Sequence, residues 1–304
     1  MNAQEAMKRA AEIQTIIPAF NIPYLPMVEP VIQAIRDEDS VAMIQVARLE
    51  WEKFASRSLE AVAEEYAKHA CSRNTLLHLD HVPAIDEDLQ QVDFLPILQR
   101  AIQAGYQSVM IDGSRLPLEW NIAVTAEVST LAHRSGVSVE AELGAVAGHE
   151  AGGIHMDYET LFATKKGFTD LAEARRFAKE SGCDWLSIAA GSIHGAIAEG
   201  LRKQKKPEAR LDVSHIRSLF EATGHMPLVL HGGSGIRREY IIEAVKNGIS
   251  KINVATEIRQ PYETALDENA GGVIAAKQSV YERTRWVLRE FLQASGSADK
   301  IHLT

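Results

Sequence analysis

Thr75-Leu76-Leu77-His78-Leu79-Asp80-His81 is an apolar run that ends in a carboxylate followed at once by an imidazole. The run has the length and composition of a buried strand, and its last two residues are the side chains most used for proton transfer and metal binding. Seven further short β-rich runs accompany it: Ile16 to Ile22, Val41 to Ala47, Gln107 to Asp112, Val137 to Leu143, Trp185 to Ala190, Leu228 to His231 and Ser250 to Val254. Between them lie stretches of helical periodicity, at Pro30 to Glu38, Leu59 to Cys71, Leu95 to Ala104, Pro117 to Ser135, Asp170 to Ser181, Val213 to Thr223 and Arg237 to Asn247. Gly105, Gly136, Gly182, Gly224 and Gly248 close five of these as C-terminal caps would. Eight strand-helix units in roughly 250 residues are what a (β/α)8 barrel requires, whereas an open doubly wound sheet more often stops at about five or six strands. The reading is an α/β protein with one TIM-barrel domain over residues 1–304. Its barrel core runs over about 16–258, and its C-terminal helical extension over about 259–304, with a helical pattern from Ala275 to Leu292 and then a polar tail.

Composition narrows the function. The 304 residues are 46% hydrophobic and 24% charged, apolar enough for a full core. A net charge of −9 argues against sequence-independent binding to nucleic acid or to an anionic membrane. No run of about eighteen apolar residues occurs, and the first fourteen residues carry no targeting pattern, so the expected location is the cytoplasm. Cys71 and Cys183 lack the spacing of a disulfide framework or a cysteine zinc site and are expected to be buried thiols.

Polar residues fall at the carboxyl ends of six of the eight runs: Asp80-His81, Asp112-Gly-Ser114, Glu140-Ala-Glu142, Gly191-Ser-Ile-His194-Gly195, His231-Gly-Gly-Ser234-Gly235 and Asn253 to Thr256. In a barrel that face carries the active site. Of the eleven histidines, eight have ordinary readings in helices, polar loops, the tail or, for His78, a strand interior. His81, His194 and His231 each follow a different apolar run, so a barrel would bring three imidazoles to one mouth, the arrangement of a catalytic zinc. The glycines of Gly232-Gly233-Ser234-Gly235, between a strand and a helix, offer backbone N–H groups where barrels bind phosphate.

In register, these motifs resemble the class II, metal-dependent fructose- and tagatose-bisphosphate aldolases. The likeness rests on Leu79-Asp80-His81, Met110-Ile-Asp112-Gly-Ser114 with Leu118-Glu119-x-Asn121-Ile122, Val139-Glu-Ala-Glu142-Leu-Gly144, Gly191-Ser-x-His194-Gly195, Leu230-His231-Gly-Gly-Ser-Gly235-Ile236 and Lys251-Ile-Asn253-Val-x-Thr256. It implies a lyase that cleaves a ketose (bis)phosphate reversibly into dihydroxyacetone phosphate and an aldehyde. It implies one zinc ion on His81, His194 and His231, with Asp80 exchanging the proton of the C4 hydroxyl and Glu150 handling the C3 proton. Asp112 and Glu142 match positions that hold a second or alternative metal, or that hydrogen-bond to the ligand histidines. Gly195, Gly232, Ser234, Asn253 and Thr256 match positions that hold dihydroxyacetone phosphate, where some relatives also bind Na+ or K+. Relatives are dimers or tetramers, so a homo-oligomer is implied.

The departures cluster on the half that would receive the aldehyde. His81 is followed by Val82-Pro83 and an acidic insertion, Ala84-Ile85-Asp86-Glu87-Asp88. Ala198 replaces a usual lysine, Arg48 follows strand two where relatives have serine nearby, and the loop before Glu150 reads Ala147-Gly148-His149. These point to an aldehyde other than glyceraldehyde 3-phosphate. The competing reading is a non-catalytic, metal-containing sugar-phosphate-binding relative; a metal-dependent hydrolase on the same barrel is a weaker third.

Overall fold

The structure, a computed structural model, describes residues 2–144, 158–192, 209–233, 235–268 and 271–302. Eight parallel strands pair in chain order and close on themselves: β1 (Ile17–Asn21), β2 (Ala42–Ala47), β3 (Thr75–Pro83), β4 (Ser108–Asp112), β5 (Ser138–Leu143), β6 (Trp185–Ile188), β7 (Leu228–Leu230) and β8 (Ile249–Val254). β8 returns to β1 with Ile17 opposite Lys251 and Ala19 opposite Asn253. All eight expected runs are strands, because parallel strands covered on both faces must be apolar along nearly their whole length. The five predicted cap glycines all have positive φ. At Gly248 (φ +116) an added Cβ would also lie 2.5 Å from the Phe220 ring.

Alternation along each strand divides the core in two. Leu77 and Leu79 of β3 face the surrounding helices, whereas Leu76 joins Ile17, Ala19, Val41, Met43, Trp185 and Val229 inside the barrel. The amino-terminal end of that interior is plugged by the helix Ala3–Glu12, whose Ala3, Ala6, Met7 and Ala10 form a buried stripe, and by Ala298 and Ile301. Asn2 caps the plug helix by accepting from the Gln4 N–H at 2.8 Å.

The C-terminal part differs from expectation in two ways. The helix Thr256–Asp267 starts directly after β8, so the expected boundary near residue 259 cuts through it. The anticipated polar tail is in part a helix, Ser297–His302, whose Ser297, Ala298 and Ile301 are buried against the barrel base. Glu38 holds this return in place: its buried carboxylate accepts from Arg285 (2.7 Å), Arg289 (2.7 Å) and Ser295 (2.8 Å). Cys183 is buried as expected, but Cys71 is only half-buried, its thiol 3.2 Å from Asn74 Oδ1. No helix among the described residues is long and apolar enough to cross a membrane.

Candidate active site

The apolar lower half of the barrel gives way to a polar upper half, and β3 is built irregularly at the transition. Leu79 pairs with Val109 and Val82 with Ile111, so three steps along β3 match two along β4. This β-bulge falls on Asp80-His81, and His81 takes a positive φ of +32. A regular strand would send consecutive side chains to opposite faces; the bulge re-aims one of them, and both polar groups reach the same mouth.

Asp80 is fully enclosed and receives amide donors from three other strands. Asn21 Nδ2 (2.9 Å) and Gln45 Nε2 (3.2 Å) donate to Oδ2, and Asn253 Nδ2 (3.0 Å) donates to Oδ1. Burial alone would raise its pKa, but the positive fields of His81, Lys251 and His231 overcome this and hold it below the ordinary carboxylate value. Asp80 is therefore an ionised acceptor with a fixed orientation.

His81 and His231 lie against one another, with ring centroids 4.5 Å apart. His81 Nδ1 is 3.3 Å from Asp112 Oδ2 and 4.0 Å from Glu142 Oε2; His231 Nδ1 is 3.1 Å from the same Glu142 oxygen. Ligating atoms of Asp80, His81 and His231 all fall within 4.8 Å of one another, as do those of His81, Asp112 and Glu142. Burial works against protonating His81, yet Asp80, Asp112 and Glu142 carry its pKa up to about 10. Burial and the neighbouring His81 likewise oppose protonation of His231, and Glu140 and Glu142 outweigh them. Asp112 stays well below the carboxylate range despite its burial, because His81 and the Ser114 hydroxyl and N–H donate to it. Two imidazoles among three carboxylates form a negative site that favours a cation. The mixed nitrogen and oxygen donors suit a divalent metal, and Glu142 Oε2 is a buried oxygen facing both imidazoles.

Thus the structure brings together Asp80, His81, His231, Asp112 and Glu142. Beside them, Gly232 (φ +71) and Gly235 (φ +88) adopt the left-handed conformation, and a Cβ at Gly233 would meet Ile252 Cδ1 at 2.8 Å. The segment after β7 thus runs against β8. Asn253, anticipated as a phosphate contact, has its amide committed to Asp80 and Lys251. Glu150, His194, Gly195 and Ser234 lie outside the described residues, as does Ala198.

The family profile described as Fructose-bisphosphate aldolase class-II matches residues 1–300. The chain belongs to this family. A probable fructose-bisphosphate aldolase of Bacillus subtilis (strain 168) is 32% identical over 288 residues, covering 93% of this chain and 89% of the relative. The crystal structure of the YdjI aldolase from Escherichia coli K12 superposes with a TM-score of 0.77 at 25% identity, covering 98% of each chain. A putative fructose-1,6-bisphosphate aldolase from Coccidioides immitis shares the fold at a TM-score of 0.77 and 24% identity over 98% of each chain. Membership makes this chain an aldolase, a lyase of a family that is metal-dependent.

Sequence reasoning set Glu140 at the mouth with Glu142 and gave no task to His78 or Lys251, but the three form a charged layer directly beneath the aldolase's mouth. Glu140 and Lys251 are completely buried, 2.9 Å apart, with His78 beside them. Glu140 also accepts from Trp185 Nε1 at 2.7 Å and from His231 Nε2 at 2.9 Å. His78 donates to or accepts from Ser108 Oγ at 2.8 Å and is pushed down to about 3 by burial and by Lys251. Their signal was the period of two: His78, Glu140 and Lys251 each stand two residues before a mouth residue, Asp80, Glu142 and Asn253, on the same strand face. Glu50 was also missed. It reaches the Ala47 N–H (2.7 Å) and Asn21 Nδ2 (3.4 Å), and burial, with the Asp80 charge adding, raises it to about 8.

Proposed function

We propose that this aldolase uses zinc to cleave a ketose phosphate reversibly into dihydroxyacetone phosphate and an aldehyde. The observation that carries the reading is the convergence of Asp80, His81 and His231 within 4.8 Å at the carboxyl mouth of a barrel of this family. His81 and His231 would hold the ion together with His194, and Asp112 and Glu142 would orient the ligands or offer an alternative site. When bound, the ion would supply Lewis-acid polarisation of the substrate carbonyl. Asp80, ionised and clamped by Asn21, Gln45 and Asn253, takes the proton of the C4 hydroxyl during cleavage and returns it during condensation. Glu150 exchanges the C3 proton. Gly195, Gly232, Ser234, Asn253 and Thr256 form the part of the site that holds dihydroxyacetone phosphate, with Na+ or K+ near the glycines. Asn253 serves there through its placement of Asp80.

The acidic insertion supports an aldehyde other than glyceraldehyde 3-phosphate. Asp86 lies 3.6 Å from Arg48 at the end of β2, and its backbone carbonyl accepts from Arg115. An anionic aldehyde would have to compete with Asp86 for Arg48. The whole chain acts as one cytoplasmic TIM-barrel domain in a homo-oligomer. Retro-aldol activity that a chelator abolishes and zinc or cobalt restores supports this function; activity persisting after complete metal removal refutes it. Condensation of dihydroxyacetone phosphate with a panel of phosphorylated and unphosphorylated aldehydes identifies the partner. Ketose-phosphate binding without turnover across the panel would favour the non-catalytic reading.

A further inference from the structure

We propose that Lys251 is a positioning residue that orients both halves of the site at once, Asp80 through Asn253 and His231 through Glu140. This rests on the proposed metal-dependent aldol chemistry and assigns a task to a charge that chemistry does not itself use. A fully buried ammonium is costly unless paired, and Lys251 has two partners. Its Nζ lies 2.9 Å from Glu140 Oε2 and donates to Asn253 Oδ1 at 2.7 Å.

Each contact holds a mouth residue from the side away from the mouth. An ammonium only donates and a carboxylate only accepts. Asn253 bridges one of each, so its Oδ1 must face Lys251 and its Nδ2 must face Asp80. With the ammonium gone, Oδ1 loses its donor and the amide is held from one end only, so Nδ2 is seated less firmly on Asp80. On the other arm, Lys251 Nζ stands 2.9 Å from Glu140 Oε2, and Glu140 Oε1 accepts from His231 Nε2 at 2.9 Å. In the neutral ring the Nε2 proton thus stays with Glu140. Nδ1 is then the nitrogen turned toward the mouth, 3.1 Å from Glu142 Oε2, and the Glu140 contact restrains the ring from its other side. One cation, shielded from solvent below the mouth, fixes a proton carrier and a ligand that come from different strands.

The test is Lys251→Met, which keeps length and removes charge, with Lys251→Met/Glu140→Gln as a second variant that removes both buried charges and protects folding. Zinc affinity is read by competition with a chromophoric chelator, geometry by the absorption spectrum of the cobalt form, and kcat and KM in the cleavage direction. Lys251→Met is expected to weaken zinc about 10- to 100-fold, the range for loss of an orienting partner, and to alter the cobalt spectrum. The double variant is expected to recover most of the zinc affinity, because the carbonyl of the introduced glutamine can still accept from His231. Its kcat should remain at least about tenfold low with KM within about twofold, because Asn253 Oδ1 still lacks its donor and the amide holds Asp80 less firmly. Zinc affinity and kcat within twofold of wild type in Lys251→Met overturn the inference. So does a double variant whose only defect is thermal stability. Wild-type protein that binds neither zinc nor cobalt overturns the proposed function and the inference together.

Discussion

Replacing Glu50 by Gln should remove a pH-dependent loss of stability. In the folded chain Glu50 sits with its carboxyl on the Ala47 N–H, next to the Asp80 charge, and its pKa is carried from 4.5 to about 8. A carboxyl raised on folding favours the folded state while neutral. That contribution is complete below pH 4.5 and is lost as the pH climbs to about 8. At about 1.36 kcal/mol per pH unit, the loss approaches about 5 kcal/mol above pH 8. An unfolding entropy of about 2.1 cal/mol/K per residue over this length converts it into about 8 °C of Tm. Glutamine is neutral at every pH and its carbonyl accepts the same two hydrogen bonds. The assay is thermal unfolding of wild type and Glu50→Gln from pH 5 to 9, at matched scan rates, with chelator present so that no cation reaches the mouth. The Tm of the variant should rise relative to wild type as the pH increases, with the gap levelling off above pH 8. Parallel curves across the range would show that Glu50 ionises normally and that its burial is relieved by something else.

Asp80→Ala should retain zinc while turnover falls about 10²- to 10⁴-fold, the usual range for a proton-transfer group, whereas His231→Ala should lose zinc itself; equal zinc loss in both would reassign Asp80. Metal-free His81 carries a proton at neutral pH because its pKa is held at about 10, and an entering metal must displace it. Zinc affinity should therefore rise about tenfold per pH unit for each proton released, with release seen as a buffer-dependent heat in calorimetry; affinity constant from pH 6 to 8 would refute this. Gly248→Ala should destabilise by about 1–3 kcal/mol in denaturant melts, since alanine must adopt a φ of +116 and meet the Phe220 ring. Unchanged midpoints would mean that Phe220 moves aside freely.

Strand order and the position of the mouth were readable because each strand is apolar and six of the eight runs end on or lead into polar residues. Asp80, His81 and His231 announced themselves as polar groups terminating such runs. What was not readable obeys a different rule. Lys251 and Glu140 lie inside apolar strands, where a charged residue is explicable only once its partner on another strand is known. The plug helix was passed over because alanine stripes carry little hydrophobic contrast, and the closing helix Ser297–His302 looked polar because only three of its positions face inward. The bulge at Asp80-His81 left no mark in the sequence, since it depends on how β3 pairs with β4.

That bulge also separates two tasks within one strand. After it, Val82 and Pro83 pair with β4 again, and the Ala84 N–H reaches the Asp112 carbonyl at 2.8 Å, so the strand is anchored downstream of the chemistry. The following loop is then closed on itself by the Ile85–Gln91 bridge and the Val92 N–H to the Ala84 carbonyl. Insertions between residues 85 and 91 are thereby insulated from the Asp80-His81 pair. The barrel can exchange that segment as a module while Asp80 and the adjoining imidazole of His81 keep their places.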